Sequence, residues 1–281
     1  MECGLLSECI YSDLNKSLDM HFHADFELIY VKEGRSLIYI NDESYEMQRG
    51  SIAFIGRLEE HAVTVLSNDY QRYFTVLNAG QLEPLLADPR LTSVFRNRSK
   101  SFDPVANLFP YAVELDWLFE KMLLEFNGQE MYAEYLISSF IKQILIYAYR
   151  CIPEAFSFAH KEIYTDVYKI QKYIESNYMY DIKITDIAAE YFISVQYLSR
   201  CFRVVTGRSP KQYLTNTRIA HAKSLLVHTT IPVKDIAIKS GFNDINNFIR
   251  SFKEFTGSPP HKYRSASRSE EKYDNKKTSL K

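Results

Sequence analysis

The sequence predicts an α+β multidomain protein, with an N-terminal β-barrel followed by two helices and a C-terminal all-α domain of two helix-turn-helix units. Three observations predict it: short β-branched and aromatic runs through residues 26–78, two long apolar helical segments after them, and a helix-turn-helix pattern that occurs twice. We divide the chain into a first domain at 1–151, a linker at 152–165, a second domain at 166–264 and a disordered tail at 265–281.

The predicted strands are runs such as FELIYV, RSLIYI, SIAFI and YFTVLN, which are separated by polar turn residues such as Lys-Glu-Gly and Ser-Asn-Asp. β-Branched and aromatic residues favour strands, and their repetition at short intervals is typical of an all-β sandwich or barrel. The first domain is therefore expected to be built mainly from short strands.

A spaced motif lies at the start of this domain. His21, His23, Glu27 and Gly34 follow one another in the order H-x-H-x3-E-x6-G. This spacing resembles the first motif of the cupin barrel. In metal-dependent cupins that motif supplies two imidazoles and a carboxylate, and His61 is the candidate here for a third imidazole. The Pro-x-Gly that normally precedes this histidine is absent, and we expect neither a metal nor another cofactor.

We expect the motif to bind a small polar, carbohydrate-like effector. Imidazole and carboxylate groups can pair hydroxyls, and an aromatic ring can cover the apolar C–H side of a sugar. The alternative is that these residues only cap the mouth of the barrel. The candidate effector-binding residues are His21, His23 and Glu27, with weaker contributions from Tyr30, Tyr39 and Arg72.

Two helices are predicted after the barrel, at 114–126 and 131–152. The second is apolar around most of its circumference, so it must bury two sides. One side can cover the barrel, and the other can meet a second copy of the chain in a homodimer, with Ile144 as an outward apolar position. The alternative is that both sides pack within one chain.

The charge is distributed unevenly between the two halves. The net charge is -1, but residues 166–264 carry 15 Lys+Arg against 8 Asp+Glu, and the remainder carries 19 against 27. A basic C-terminal region beside an acidic N-terminal one indicates a module that binds a polyanion, joined to a domain with another task.

A repeat defines the C-terminal region. Residues 192–213 align with residues 242–263 at an offset of 50, and a shared Asp-Ile-Ala lies upstream in both copies at an offset of 49. Each copy predicts a short helix, a turn and a second helix that ends at Thr-Gly. The aligned residues are Arg200, Phe202, Thr206, Gly207, Pro210 and Tyr213 with Arg250, Phe252, Thr256, Gly257, Pro260 and Tyr263.

The second helix of each copy has an apolar face and a polar face. Leu198, Cys201, Phe202 and Val205 form the buried stripe of the first, and Phe248, Phe252 and Phe255 that of the second. Arginine, asparagine and glutamine suit the edges of bases, while lysine suits phosphates. The candidate DNA-binding residues are Gln196, Ser199, Arg200, Arg203, Asn246, Asn247, Arg250 and Lys253.

A single connecting helix is predicted between the two copies, within residues 209–228. It would span about 24 Å at ~1.5 Å per residue. A rigid spacer of this size can hold two recognition helices in successive major grooves, about 34 Å apart. One chain would then bind two adjacent sites on double-stranded DNA.

These paired units, the connecting helix and the closing stretch GFNDINNFIRSFKEFTGSPPHKYR resemble the AraC/XylS family of bacterial transcription regulators over residues 166–264. The resemblance implies base contacts from Gln196, Ser199 and Arg200 in the first unit and from Asn246, Asn247 and Arg250 in the second. It also implies an activator, and RNA polymerase as a further partner. One departure is Phe192, which stands where family members commonly have a turn glycine, so we expect an altered turn or a less rigid first unit.

The predicted function is therefore a sequence-specific, effector-controlled transcription regulator and not an enzyme. A metal-dependent cupin enzyme fused to a DNA-binding module is one alternative, and a constitutive regulator whose barrel only dimerises is another. The four cysteines show no CxxC spacing, and the chain has neither a long apolar run nor a secretory signal pattern. We expect a cytoplasmic protein without membrane spans, disulfides or a zinc site.

Overall fold

The computed structural model describes residues 4–13, 16–41, 43–78, 81–82, 86, 88–96, 102–128, 130–156 and 162–265. The chain divides into two compact units, Met1–Lys161 and Glu162–Lys281. Among the described residues, no helix is both long and apolar enough to span a bilayer. Cys9, Cys151 and Cys201 are free thiols, and Cys3 lies outside the described residues.

The first unit contains nine described strands in two antiparallel sheets. One sheet has the order β1-β8-β3-β6-β9, and the other has the order β2-β7-β4-β5. The strands are β1 (Leu6–Ser12), β2 (Leu18–His21), β3 (Phe26–Glu33), β4 (Arg35–Ile40), β5 (Glu43–Gln48), β6 (Ser51–Ile55), β7 (His61–Val65), β8 (Gln71–Leu77) and β9 (Val105–Asn107).

The interior of the barrel lies between the two sheets. Ile29 and Ile55 of the first sheet pack there with Ile38, Met47 and Val63 of the second, all fully buried. Because side chains alternate along a strand, the residues between them point to the outer faces. The first sheet is covered on its outer face as well, so β3 and β6 are apolar almost throughout.

Helices cover that outer face of the first sheet. They are α1 (Pro89–Thr92), α2 (Ala112–Gly128) and α3 (Ala133–Cys151). Leu28 and Phe54 of the sheet belong to one core with Phe119 of α2 and Ile141 of α3. The predicted barrel with two following helices is confirmed, although β1, β2 and β9 were not among the predicted strands.

The prediction that Ile144 points outward is wrong. Its side chain is 0% exposed in the core between α3 and the sheet. The apolar arc of α3 is so broad that helical period alone did not identify its outer side. The exposed apolar residues of α3 are instead Tyr135, Leu136 and Tyr149.

The second unit is entirely helical in its described part. Its helices are α4 (Glu162–Asn177), α5 (Ile184–Glu190), α6 (Val195–Thr206), α7 (Pro210–His228), α8 (Val233–Lys239) and α9 (Ile245–Thr256). The pairs α5–α6 and α8–α9 form the two predicted helix-turn-helix units, and α7 connects them. A last helical turn occupies 260–265.

The recognition helices begin and end as their sequences predict. The side chain of Ser194 caps α6 by accepting from Tyr197 N, and Asp244 caps α9 by accepting from Asn246 N and Asn247 N. Gly207 and Gly257 end the two helices in the left-handed conformation, both with φ 73°. The caps satisfy backbone groups that a helix terminus otherwise leaves unpaired.

The turn of the first unit is not altered by its unusual residue. Phe192 adopts φ 55°, and Gly241, which holds the same turn position at the upstream offset of 49, adopts φ 84°. Ile193 N donates to Ala188 O as Phe242 N donates to Ala237 O. The turn therefore keeps its shape, and a left-handed conformation at a phenylalanine costs on the order of 1 kcal/mol.

The described ends of the predicted linker belong to the two units. Phe156 is buried in the core of the first unit, and α4 begins at Glu162. Residues 157–161 of the linker and 266–281 of the predicted disordered tail lie outside the described residues.

Candidate DNA interface and effector site

The recognition helices expose the predicted polar faces. Gln196, Arg200 and Arg203 of α6 are exposed and Ser199 is half-buried, while Asn246, Asn247, Arg250 and Lys253 of α9 are all exposed. The opposite faces are anchored in the core, where Leu198, Phe202, Phe248 and Phe252 are at most 1% exposed. Each helix thus presents amide and guanidinium groups from a fixed backbone.

Local contacts hold the two arginines near the helix surface. The guanidinium of Arg250 donates to Asn247 Oδ1 at 3.2 Å. That of Arg200 lies 5.4 Å from the ring of Tyr197, a side chain that is 40% exposed. A bidentate contact with a base would replace weak surface interactions in both cases, since neither arginine is buried.

The connecting helix α7 is the centre of this unit. It is 19 residues long, or about 28 Å at ~1.5 Å per residue, compared with the predicted 24 Å. Tyr213, Asn216, Ile219 and Ala222 are at most 2% exposed, and they lie on several sides of the helix. A helix buried on several sides fixes the spacing of the elements around it.

Two features beside the candidate DNA-binding residues were not predicted. Tyr197 lies beside Arg200, and Lys211 of α7 lines a cavity of about 670 Å³ together with Asn247 and Arg250 of α9. Lys211 adds a cation next to the second recognition helix. The repeat could not identify either residue, because their counterparts Asn247 and His261 differ in type.

The motif histidines and the glutamate meet in the barrel. His21 lies on β2, His23 in the following loop, Glu27 on β3 and His61 on β7. Glu27 Oε2 lies 2.9 Å from His23 Nε2 and 2.8 Å from His61 Nε2. The rings of His21 and His61 have centroids 4.2 Å apart. We call these four residues the histidine cluster.

Backbone carbonyls orient all three rings. Nδ1 of His21, His23 and His61 lies within 3.0 Å of Asp19 O, Asp25 O and Glu59 O, respectively. A carbonyl only accepts, so each Nδ1 carries a proton. Nε2 is then the atom left to face a ligand in His21 and to donate to the carboxylate of Glu27 in His23 and His61.

The cluster contains a buried ion pair. Burial alone would raise the pKa of Glu27, but hydrogen bonds from His23 and His61 hold it below its usual range. Burial alone would lower the pKa of His61, but the contact with Glu27 outweighs it and raises the value. Burial lowers the pKa of His21 to about 4, with a further contribution from His61. At neutral pH, His21 therefore offers a bare nitrogen beside an ionised carboxylate.

The same donor set fits a divalent transition metal. One ligand atom from each residue of the histidine cluster lies within 4.8 Å of the others, and neutral imidazoles with carbonyl-bound Nδ1 are the usual form of metal-ligating histidine. A metal would have to displace the proton that His61 shares with Glu27. The expectation of no metal stays a prediction.

The backbone beside the cluster is held in an uncommon conformation. Leu58 has φ 60°, lies three residues before His61, and donates from its N–H to His23 O at 2.8 Å. Its side chain is 1% exposed. The segment that lacks Pro-x-Gly thus still makes a tight turn, at the cost of backbone strain in a non-glycine residue.

Tyr30 and Tyr39 do not join the histidine cluster. Tyr30 points to the helices, where its hydroxyl donates to Asp116 Oδ1 at 2.8 Å and its ring stacks on Phe119. Tyr39 lies between Ile38 and Ile40, which face the interior, so it points to the outside of its sheet. Strand alternation, counted from Glu27 in β3, separates Tyr30 from the interior.

Arg72 does face the interior of the barrel. It lies on the same face of β8 as Phe74, which packs against the interior apolar residues. Its side chain is 3% exposed. It lies opposite Val31 of β3, while Glu27 lies opposite Val76. Arg72 is thus at the other end of the barrel from the histidine cluster.

Known proteins combine these two parts. An AraC-like ligand binding domain model matches residues 6–110, and a helix-turn-helix domain model matches residues 187–266. The chain is 24% identical over 223 residues to the lactose operon transcription activator of Staphylococcus xylosus, covering 79% of this chain and 77% of that protein. It is 25% identical over 271 residues to the transcriptional activator RhaS of Klebsiella pneumoniae, covering 92% of each.

The chain belongs to the AraC family of transcription regulators. ToxT from Vibrio cholerae shares the fold of this regulator, with a TM-score of 0.62 and 16% identity over 92% of this chain and 98% of that one. The predicted fold class and the DNA-binding regulatory function are therefore confirmed. The relatives are transcription regulators, which rejects the alternative of a metal-dependent cupin enzyme fused to a DNA-binding module.

Proposed function

We propose that this regulator acts in the cytoplasm and activates transcription by binding two adjacent DNA sites, one with α6 and one with α9. The supporting observation is that Arg200 and Arg250 occupy equivalent exposed positions on two recognition helices that one rigid helix connects. Base contacts come from Gln196, Ser199, Arg200, Asn246, Asn247 and Arg250, with Arg203 and Lys253 as further DNA contacts. Mapping the DNA occupied in cells, and the change in nearby transcripts on deletion, tests activation directly.

The effector binds at the histidine cluster. His21 and His23 are half-buried while Glu27 and His61 are buried, so the first two rings can touch a ligand that enters from solvent. Nε2 of His21 accepts a hydrogen bond from one ligand hydroxyl, and the carboxylate of Glu27 accepts one from another. A relative named for a lactose operon supports a carbohydrate-like effector.

The expected result of a sugar screen, including lactose, is a rise in melting temperature that depends on His23. In His23→Ala and Glu27→Gln, the affinity for the hit falls by about tenfold or more, because a charge-assisted or buried hydrogen bond is lost. Thermal shift on the full chain measures this. The matched control is Glu43→Gln, an exposed carboxylate on β5.

The hit must also change DNA affinity, by about 5- to 150-fold for a typical coupling. A hit whose affinity both cluster variants leave unchanged places the effector elsewhere. Failure of every small molecule to alter DNA affinity favours the constitutive regulator. Metal analysis of the purified protein decides whether the cluster carries a metal.

The regulator forms a homodimer through the outer face of α2 and α3. Val113, Trp117 and Leu124 lie on one side of α2, at spacings of four and seven residues, and are each more than half exposed. Tyr135 and Leu136 of α3 are also exposed. So much apolar surface outside one core is typical of a protein interface.

A Leu124→Glu substitution is expected to give monomers, because the new charge would be desolvated at the interface. Sedimentation of the full chain at micromolar concentration measures the oligomeric state. Gln48→Glu adds the same charge at an exposed position of β5 and is the control. If the unsubstituted chain is already monomeric with DNA present, the dimer is ruled out.

Contact with RNA polymerase is a further proposal, which transcription with purified components tests.

A further inference from the structure

Arg72 is a buried cation whose donors are incompletely used. Neither Nε nor Nη1 has a hydrogen-bond partner among the described residues, although the side chain is almost fully buried. The guanidinium lies 5.7 Å from the ring centroid of Tyr70 and 5.8 Å from that of Phe74. These aromatic contacts stabilise the charge but satisfy none of its N–H donors.

Two further buried polar groups at this end of the barrel share that property. Ser36 Oγ and Tyr70 Oη have no hydrogen-bond partner in the described part of the chain, and their residues are 0% and 1% exposed. Ser36 lies on the same face of β4 as the interior-facing Ile38, and Tyr70 belongs to the interior apolar cluster itself. Buried polar groups are nearly always paired, so three groups that the described residues leave unpaired are suited to a polar ligand.

The strand turns bring the three residues to one end of the barrel. Arg35 N donates to Ser67 Oγ at 2.7 Å, and Leu66 N donates to Arg35 O at 3.0 Å, which joins the β3–β4 turn to the β7–β8 turn. Ser36 follows the first turn, and Tyr70 and Arg72 follow the second. Facing sheets lie about 10 Å apart, a gap that an arginine and a small ligand can bridge.

This end is separate from the histidine cluster. Glu27 pairs with Val76 and Val31 pairs with Arg72, so the two ends differ by four residues along β8, or about 13 Å at ~3.3 Å per residue. The fully buried Ile29 faces the interior between Glu27 and Val31. One small ligand cannot contact both ends through this packed interior.

We propose that Ser36, Tyr70 and Arg72 form an anion pocket that binds the carboxylate or phosphate of a small metabolite. The guanidinium has unpaired donors on two of its edges, at Nε and at Nη1, and each can donate to an oxygen of either group. The two hydroxyls supply further donors. An oxyanion supplies acceptors for these unpaired donors and a negative charge for the guanidinium, whereas a neutral sugar leaves the buried charge uncompensated. The regulator then senses an anion independently of the effector at the histidine cluster.

The test is thermal shift and calorimetry on the full chain with inorganic phosphate, a hexose 6-phosphate, gluconate and, as the neutral probe, glucose. Arg72→Met keeps the length of the side chain without its charge, and Arg35→Met removes an exposed arginine at the same end as a control. We expect at least one anion to raise the melting temperature of the wild type and Arg35→Met, whereas any effect of glucose should be the same in Arg72→Met as in the wild type. The affinity of Arg72→Met should be lower by about tenfold or more. The anion that binds more tightly identifies the head group.

Tyr70→Phe should weaken the same anion while leaving the fold intact. Without anion, Arg72→Met should melt no lower than the wild type, because it replaces an unpaired buried charge with an apolar chain. A lower melting temperature shows Arg72 to be structural and overturns the proposal. So does the absence of any anion effect, or an anion effect that Arg72→Met retains. Inorganic phosphate has no sugar moiety, so its effect does not depend on His23 or Glu27, and the effector site stands or falls separately.

Discussion

A Gly241→Ala substitution is expected to destabilise the second unit by about 3 kcal/mol. Gly241 has φ 84°, and a side chain in that region costs about 1–2 kcal/mol. A Cβ there would also clash with the carbonyl oxygen of Tyr178 and lie 3.0 Å from Met179 Cα. Tyr178 O cannot simply move away, since it accepts from Arg218 Nε at 2.8 Å, and overpacking adds about 1–3 kcal/mol.

Urea unfolding of the full chain, followed by the helical circular dichroism signal, measures this loss. Gly257→Ala is the matched control, because Gly257 has φ 73° and a Cβ there meets nothing within 4 Å. That control is expected to cost only about 1 kcal/mol. Phe192→Gly, at the equivalent turn of the first unit, is expected to stabilise by a similar amount. Equal losses in Gly241→Ala and Gly257→Ala would contradict the packing account.

An Arg250→Ala substitution is expected to weaken the cognate DNA complex by about 1–3 kcal/mol and random DNA much less, because a bidentate base contact is lost. Lys253→Ala should instead weaken both DNAs and lower the slope of log K against log salt by about 1. Both residues are exposed, so neither change should alter the fold. Fluorescence anisotropy at several salt concentrations measures both. Equal losses for Arg250→Ala on the two DNAs would make it a phosphate contact.

The two helix-turn-helix units and the helix between them could be predicted from sequence, whereas α4 (Glu162–Asn177) was not predicted and begins inside the predicted linker. The repeat located both recognition helices, and the helix ends at Gly207 and Gly257 and the cap at Ser194 were confirmed. The predicted buried faces were confirmed except at Phe255, which is half-buried. Local signals decide these features, since caps and helical period act within a few residues. The turn at Phe192 could not be decided locally. Surrounding packing holds that residue in the left-handed conformation against its own preference.

The first unit could be predicted less fully. Six strands and the convergence of His21, His23 and Glu27 followed from pattern and spacing, but sheet order depends on contacts between residues distant in sequence. Tyr30 and Tyr39 were placed with the effector although alternation separates them from the interior. Ser36 and Tyr70 carried no signal of their own. Only the pairing of β4 with β7 in one sheet and of β8 with β3 in the other brings them to the end of the barrel that holds Arg72.

The most direct test of the account is selection of bound sequences from random DNA by the wild type, Arg200→Ala and Arg250→Ala. Two recognition helices joined by one rigid helix predict two preferred subsites about one helical turn, or 10 base pairs, apart. Arg200→Ala should relax base preference in one subsite and Arg250→Ala in the other. A single preferred subsite, or relaxation of the same positions by both variants, would contradict the conclusion that each helix reads its own site.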